Sequence, residues 1–455
     1  MNIATRLADP EIIIIDGAMG TELQRRGVPL NFEIWSAAAL LSHPQLVQEI
    51  HVDYIRAGAE IQIAATYNTA PHVINPSNFD TTSRESNLEL IGFVQDYLAK
   101  LDVECQLIHN DDGQKANLYA TLGPKDKSGV MLSGHTDVVP VDGQPWSTDP
   151  FSVVMKDGRF FGRGTADMKG FIACVLAQVP QMLEMPLQTP IHIALSYDEE
   201  IGCIGVHRLL DLLKTLPVCP AMGVVGEPTS MKIINAHKGK QGWRVNVRGR
   251  AAHSAYPVEG VNAVEIAAEL ICHIRRIYST VPETGPIDNA YRVPHSTLHV
   301  GPIHGGRALN IVPDECEFSF EVRHLPEETA QGYFQQVVSY AEEVLVPLMR
   351  AVDPQTGISF EALAGYPGLR TADDAPVVRF IQTLLDDAQT PEKISFGSEA
   401  GLFGEQVGVP CVVCGPGSIL QAHRPDEYVD VGQLAHCWDF LGRLISHLQT
   451  ERLPV

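Results

Sequence analysis

The chain has 455 residues, 45% of them hydrophobic and 19% charged, the composition of an ordinary folded protein with room for two or three cores. Its 55 Asp and Glu against 33 Lys and Arg give a formal net charge of −22; that charge repels phosphate backbones and anionic lipids, so neither nucleic acid nor a membrane is expected as a partner. The run Ile12 to Ile15 is too short for a signal segment or a membrane span, and nine cysteines, odd in number and scattered through apolar contexts, suit a reducing cytoplasm better than a disulfide framework.

In chain order, EIIII over residues 11–15 and EIQIAAT over 60–66 have the pattern of buried parallel strands. The helical pattern LVQEIHVDYIRAGA lies between them, completing one βαβ unit. A second style begins near Asn75 with a helix over SNLELIGFVQDYLAK. It continues through VMLSGH, IHIALSYD and AMGVVGE, strands that each end in a polar or acidic residue, where open α/β sheets place their sites. From about Lys240 the segments GWRVNVRGRAAHSA, STLHVGPIHGG and ECEFSFEVRHLP alternate with period 2, and VNAVEIAAELICHIRRI and QGYFQQVVSYAEEVLVPLM have helical periodicity. After about residue 352 the α/β style returns through VVRFIQTLLDDA, VPCVVCGPG and LAHCWDFLGRLISHL. Cys411 and Cys414 have CxxC spacing but no helix start beside them, so they are expected as buried strand residues. The expected organisation is a segment over 1–72, an α/β catalytic domain over 73–240 and 352–455 with a mostly parallel central sheet, and a smaller α+β insert over 241–351.

Five short settings carry acids and histidines: SGHTDVVP, GRGTADMKG, SYDEEIG, GEPT and AHRPDE. Taken singly, most have an ordinary explanation. His135 with Asp137 two residues on is common after a strand, Asp167 before a helix could be an N-cap, and His423 in a loop could be a surface residue. The acids of SYDEEIG resist this, because Asp198, Glu199 and Glu200 put three like charges at one strand end, where a bound cation is the simplest compensation. With Glu227 fixed by Pro228 at another strand end, the set offers nitrogen and oxygen ligands without thiolate. That choice suits a hydrolytic zinc pair or a cobalt or manganese substitute. Asp137 is placed to hold His135 in one tautomer.

With HTDVVP, GRGTADMKG, DEEIG and the late histidine of AHRPDE all present and in order, residues from about 75 to 455 resemble the metal-dependent amidohydrolases that include acetylornithine deacetylase, succinyl-diaminopimelate desuccinylase and aminoacylase. The resemblance implies a zinc-exopeptidase-like catalytic domain interrupted by a ferredoxin-like lid and dimerisation domain. It also implies two Zn2+ ions, a homodimer and a small N-acyl amino acid substrate. By the same resemblance Asp167 bridges the two metals, His135 and Glu227 complete one site, and Glu200 and His423 complete the other. Glu199 is then the general base, His253 in GRAAHSA stabilises the oxyanion, and Asn310 and Arg323 contact substrate. FGSEAGLF with Glu399, together with FDTTSRESN and AHRPDEYV, is most similar to the acetylornithine deacetylase branch, with Glu399 suited to the free amine of ornithine and arginine synthesis as the setting. A desuccinylase, a general aminoacylase and a metallo-carboxypeptidase remain as alternatives within the class. A catalytically dead metal-binding protein is the alternative outside it, and the intact Glu199 argues against that.

At the other end, IIIIDGAMGTELQRRG, WSAAALLSHPQLVQEIHVDYIRAGAEI and ATYNT resemble the opening of the homocysteine S-methyltransferase barrel. That family binds zinc through cysteine thiolates, and no cysteine precedes Cys105, so methyl transfer is not expected. A βαβ barrel fragment has uncovered edges. Residues 42–57 are therefore expected to dock where hydrolase relatives open with an apolar helix.

Overall fold

The computed structural model describes residues 87–385, 390–450 and 453, together with the backbone of two short strands near the start. Those two, β1 (Ile14–Ile15) and β2 (Ala59–Ile61), pair in parallel as a βαβ unit requires. The helix expected between them, the docking of residues 42–57 and the FDTTSRES segment lie outside the described residues.

The described chain runs through α1 (Leu88–Lys100), β3 (Cys105–His109), β4 (Ala116–Leu122), β5 (Val130–His135), β6 (Val154–Lys156), β7 (Arg159–Phe161) and α2 (Lys169–Glu184). It continues with β8 (Ile191–Ser196), α3 (Val206–Thr215), β9 (Met222–Pro228) and β10 (Ile234–His237). The middle stretch comprises β11 (Gly239–Arg248), α4 (Ala263–Thr284), β12 (Thr297–Gly305), β13 (Glu315–His324), α5 (Ala330–Tyr340), α6 (Val346–Val352), β14 (Gly357–Tyr366) and β15 (Leu369–Arg370). The last elements are α7 (Pro376–Leu384), β16 (Glu392–Ile394), β17 (Cys411–Gly415), β18 (Tyr428–Asp430) and α8 (Val431–Thr450). Two compact units result. The first ends at Asn235 and resumes over Thr371–Pro391 and Ser398–Val455; the second is Ala236–Arg370 with Glu392–Gly397.

In the first unit the central sheet has the order β10-β17-β9-β5-β8-β4-β3, with β10 joining it through Ile234. The pairs β17·β9, β9·β5 and β5·β8 are parallel, whereas β8·β4 and β4·β3 are antiparallel. The expected parallel character therefore holds at the centre and fails at both ends: β10 pairs antiparallel with β17 through Ile234 and Val413, and β4 pairs antiparallel with β8 at the other end. There β3 and β4 are joined by the short turn 110–115, which allows only an antiparallel hairpin. Strands β5, β8, β9 and β17 are buried along their whole length, as strands covered on both faces must be. One apolar core joins Phe171, Val175 and Val179 of α2 and Phe440, Leu441, Leu444 and Leu448 of α8 to Leu132, Ile193 and Val412 of the sheet. Cys411 and Cys414 are buried in β17 as expected, and all nine cysteines are free thiols.

The second unit is a four-stranded antiparallel sheet of order β12-β13-β11-β14. With α4 after β11 and α5 after β13, the sequence of elements is βαββαβ, the ferredoxin-like plan expected for the insert. In β13 the residues Cys316, Phe318, Phe320 and Val322 alternate inward. They pack with Leu270 and Ile274 of α4 and Val337 of α5, and Trp243 stacks on Phe334 at 4.4 Å between ring centroids. The main stretch of this unit runs to Arg370 rather than residue 351, because β14 is the fourth strand of its sheet. No residue of β14 is fully buried; Ile358 and Phe360 alternate with Ser359 and Glu361 and pack against this unit's core, but the run ALAG over 362–365 cuts the pattern short. Among the described residues, no helix is long and apolar enough to cross a membrane.

Candidate metal centre

Four parallel strands of the first unit deliver acids and imidazoles to their carboxyl ends. His135 is the last residue of β5, Glu199 and Glu200 follow β8, Glu227 lies at the end of β9, and His423 sits in the loop after β17. Asp167 comes from the loop that opens α2. It is not the helix cap: Met168 holds that position, and the Asp167 carboxylate turns to two histidines instead. His135 Nε2 lies 3.1 Å from Asp167 Oδ1, and His423 Nε2 lies 3.2 Å from Asp167 Oδ2. Glu227 Oε1 is 3.9 Å from His135 Nε2, and Glu200 Oε2 is 3.1 Å from His423 Nε2.

Two groups of potential ligands follow, His135–Asp167–Glu227 and Asp167–Glu200–His423, each with its donor atoms within 4.8 Å of one another. Asp167 is common to both. The donor chemistry fits two cations of the zinc, cobalt or manganese type, which accept imidazole nitrogen and carboxylate oxygen. Three further observations agree. Glu200 Oε1 is buried and has no hydrogen-bond partner. Of the five ligand-type residues, His135, Asp167 and Glu227 are buried and Glu200 is partly buried, whereas the His423 side chain is 52% exposed and marks the open side of the centre. His135 Nδ1 lies 2.9 Å from the Asp137 carbonyl oxygen, so it is the donating nitrogen, and Nε2 faces the carboxylates.

The electrostatics express the same crowding. Burial pushes the Glu199 and Glu227 carboxyls well above their usual range and raises Glu200, and neighbouring acids add to each shift. Burial also opposes ionisation of Asp167, but the hydrogen bonds from His135 and His423 outweigh it and hold that carboxyl below the usual range. Hydrogen bonds to Asp167 and Glu200 raise the His423 imidazole to about 10.

Asp137 touches His135 and also reaches the acid pair. Its carboxylate is 3.5 Å from His135 Nδ1, farther than its own carbonyl, and its two oxygens accept the backbone N–H groups of Glu199 and Glu200 at 3.1 and 3.0 Å. Asp198 turns away from the proposed role of all three acids: Lys115 Nζ meets it at 2.5 Å, leaving Glu199 and Glu200 to face the centre. Cys203, unassigned from sequence, donates its thiol to Glu199 Oε1 at 3.4 Å. Its position three residues after the acid pair in DEEIGC was the only available signal.

Glu399 is as deeply buried as His135, at 1% exposure. Burial pushes its carboxyl up to about 7, with a hydrogen bond from Ser196 working against the rise. His253, Asn310 and Arg323 belong to the second unit. There His253 bridges Ile311, the Asn310 carbonyl accepts the Ser254 N–H at 3.1 Å, and Arg323 Nε pairs with Glu321 at 2.8 Å.

Comparison with known proteins agrees with this arrangement. Residues 131–447 match the model of peptidase family M20/M25/M40, and residues 13–124 match that of homocysteine S-methyltransferase. The second match runs past residue 72, the limit drawn from the sequence, and covers β3 and β4. Whatever their resemblance, those strands are built into the central sheet through the β4·β8 pairing. The acetylornithine deacetylase of Pasteurella multocida is 34% identical over 376 residues, 82% of this chain and 94% of its own. That of Proteus mirabilis is 34% identical over 81% of this chain and 92% of its own. Among solved structures, an M20 family metallo-carboxypeptidase from Sulfolobus solfataricus superposes with a TM-score of 0.63 at 18% identity, covering 79% of this chain and 94% of that one. With its acids and histidines gathered at the strand ends of such a fold, this chain belongs to peptidase family M20/M25/M40.

Proposed function

We propose that this chain, an amide hydrolase by family, removes the acyl group from an N-acyl amino acid, with N2-acetyl-L-ornithine as the preferred substrate and L-ornithine and acetate as products. The single observation that carries the hydrolytic reading is Asp167, whose two oxygens face two different imidazoles and so belong to two ligand groups at once. Relatives named acetylornithine deacetylase, matched over four fifths of this chain, support the substrate.

His135, Asp167 and Glu227 would hold one cation, and Asp167, Glu200 and His423 the other. A bound zinc pair would supply Lewis acidity toward the amide carbonyl and acidify water. Glu199 is the group that takes the water's proton and returns it to the leaving amine. Its burial among other acids raises its proton affinity, as a proton carrier requires, and the Cys203 thiol fixes one of its oxygens. Asp137 aims the Glu199–Glu200 turn through both backbone amides. For His253 the proposed role is oxyanion stabilisation, and for Asn310, Arg323 and Glu399 it is substrate contact, with an Arg suited to the substrate carboxylate. The proposed setting is arginine synthesis in the cytoplasm, and nine free cysteines suit a reducing compartment. A homodimer with the second unit as lid and dimerisation domain completes the reading.

The test is amine release from acetylornithine, succinyl-diaminopimelate, acetyl-methionine and a dipeptide, before and after chelation. The expected outcome is the highest kcat/KM on acetylornithine, loss on chelation and recovery with Zn2+ or Co2+. Another order of preference would transfer the substrate to one of the rival activities, and full activity after exhaustive chelation would remove the metal from the mechanism.

A further inference from the structure

The last acid of AHRPDE has no part in either ligand group, yet it is among the most enclosed charges in the protein. The Glu427 side chain is 0% exposed, and its partner Arg163 1%. Glu427 Oε2 accepts from Arg163 Nη1 at 2.6 Å. Glu427 Oε1 accepts three backbone N–H groups, from Gly164 at 3.0 Å, Ala166 at 2.9 Å and Asp167 at 3.1 Å. Its own carbonyl accepts the Gly162 N–H at 2.9 Å. Arg163 is held in turn by Gln144 Oε1 at 2.7 Å and lies over the Trp146 ring, 5.1 Å from its centroid. Next to Glu427, Asp426 accepts both the N–H and the hydroxyl of Ser147, at 2.8 and 2.9 Å.

Stability alone does not account for such a pair. Taking two charges out of water costs about as much as their attraction returns, and apolar residues of the same volume often serve as well. What an apolar pair could not do is gather three amides of the loop 164–167 onto one oxygen and so set the direction in which Asp167 leaves it. Glu427 also stands four residues after His423 in the same loop. The backbone that carries one ligand is thereby tied to the backbone that carries the shared one.

We infer that Glu427, neutralised by Arg163, is a positioning residue for the metal centre: it fixes the Asp167 loop so that each oxygen of Asp167 faces its own ligand group. The inference rests on the two-metal reading above. Because Asp167 serves both groups, loss of Glu427 weakens both sites, whereas loss of a ligand such as His423 weakens one.

The experiment is titration of the full-length, metal-free protein with Zn2+ against a competing chelator, and with Co2+ followed by its visible absorption. Parent, Glu427→Ala, Glu427→Gln and His423→Ala are compared, and each variant's folded fraction is measured by circular dichroism. In Glu427→Ala both zinc affinities are expected to fall about 10- to 100-fold per folded molecule, the range typical of residues that orient metal ligands, with an altered Co2+ spectrum. Glu427→Gln, which retains an acceptor for the amides, is expected to lose less at both sites. A fault in folding alone would lower the folded fraction and leave the affinities of the remaining folded protein at parental values; that result overturns the inference, as does a loss confined to one site. If Glu427→Ala does not fold, Glu427→Gln carries the test, and parental affinity at both of its sites is the overturning result. A parent that binds no metal would overturn the two-metal reading itself, which separates that failure from this one.

Discussion

Asp137 caps the turn that carries Glu199: its Oδ1 accepts the Glu199 N–H at 3.1 Å while its Oδ2 accepts that of Glu200 at 3.0 Å. The same residue's carbonyl receives the Nδ1–H of His135 at 2.9 Å. One side chain and one carbonyl thus orient a ligand and both acids. In Asp137→Asn an NH2 group must face one of the two amides, leaving a buried donor unsatisfied at a cost of about 1–3 kcal/mol. A fall in kcat of up to about a hundredfold is expected, with the fold retained by circular dichroism. Parental kcat in that variant would show that the turn is aimed by something else.

Glu199→Gln separates proton transfer from metal binding. The substitution keeps the shape of the side chain and its contact with Cys203 but removes its capacity to carry a proton. Turnover is expected to drop by about 10²–10⁴-fold, the usual share of a general base. Metal content measured by atomic absorption should stay at the parental value. Near-normal rates would eliminate Glu199 as the base.

Metal stoichiometry should follow the sharing of ligands. Glu227→Gln and Glu200→Gln each disturb one group, and Asp167→Asn disturbs both. Each Glu variant is expected to retain close to one equivalent of Zn2+ after dialysis against dilute chelator, and Asp167→Asn close to none. Equal loss in all three would contradict the assignment of Asp167 as the shared ligand.

Gly226, beside Glu227, has no space for a side chain. A Cβ there would lie 2.0 Å from the ring of Phe171. Gly226→Ala must displace either the ring, which belongs to the main core, or the strand that carries Glu227. A destabilisation of about 1–3 kcal/mol in urea unfolding is expected, together with weaker zinc binding. An alanine accepted without loss of either would mean that the ring moves freely.

His192, on β8 at 3% exposure, gives a pH signature distinct from the metal centre. Burial lowers its imidazole to about 4, and Nδ1 lies within hydrogen-bonding distance of the Tyr119 and Thr121 hydroxyls, at 2.8 and 3.0 Å. Because the folded pKa is below the unfolded one, its contribution is fully present above about pH 6.5. As the pH falls from about 6.5 to about 4, the unfolded chain takes up a proton that the folded one refuses. Stability should therefore drop by up to about 3 kcal/mol through that window. Urea unfolding at several pH values, parent against His192→Gln, checks this: a difference between the two that does not change with pH contradicts it.

The α/β character, a small α+β insert, the buried strand cysteines and the candidate acids and histidines were legible in the sequence alone. The reason is local. Strand ends such as LSGH and VVGE, the acids of SYDEE and the glycines of GRGTAD record burial, charge and turn geometry within a few residues. The tertiary structure decided what depends on partners distant in the chain. Asp198 is paired with Lys115, 83 residues away, so only two of three adjacent acids face the centre. The edge strand β14 belongs to the second unit through its hydrogen bonds to β11, its own alternation being confined to the short stretch Ile358–Glu361. Asp167 could have been a helix cap on sequence grounds; instead its carboxylate faces His135 and His423, and its backbone N–H is held by Glu427, 260 residues away. Residue type sets what chemistry a side chain can perform, whereas packing of remote strands and loops sets the direction in which it points.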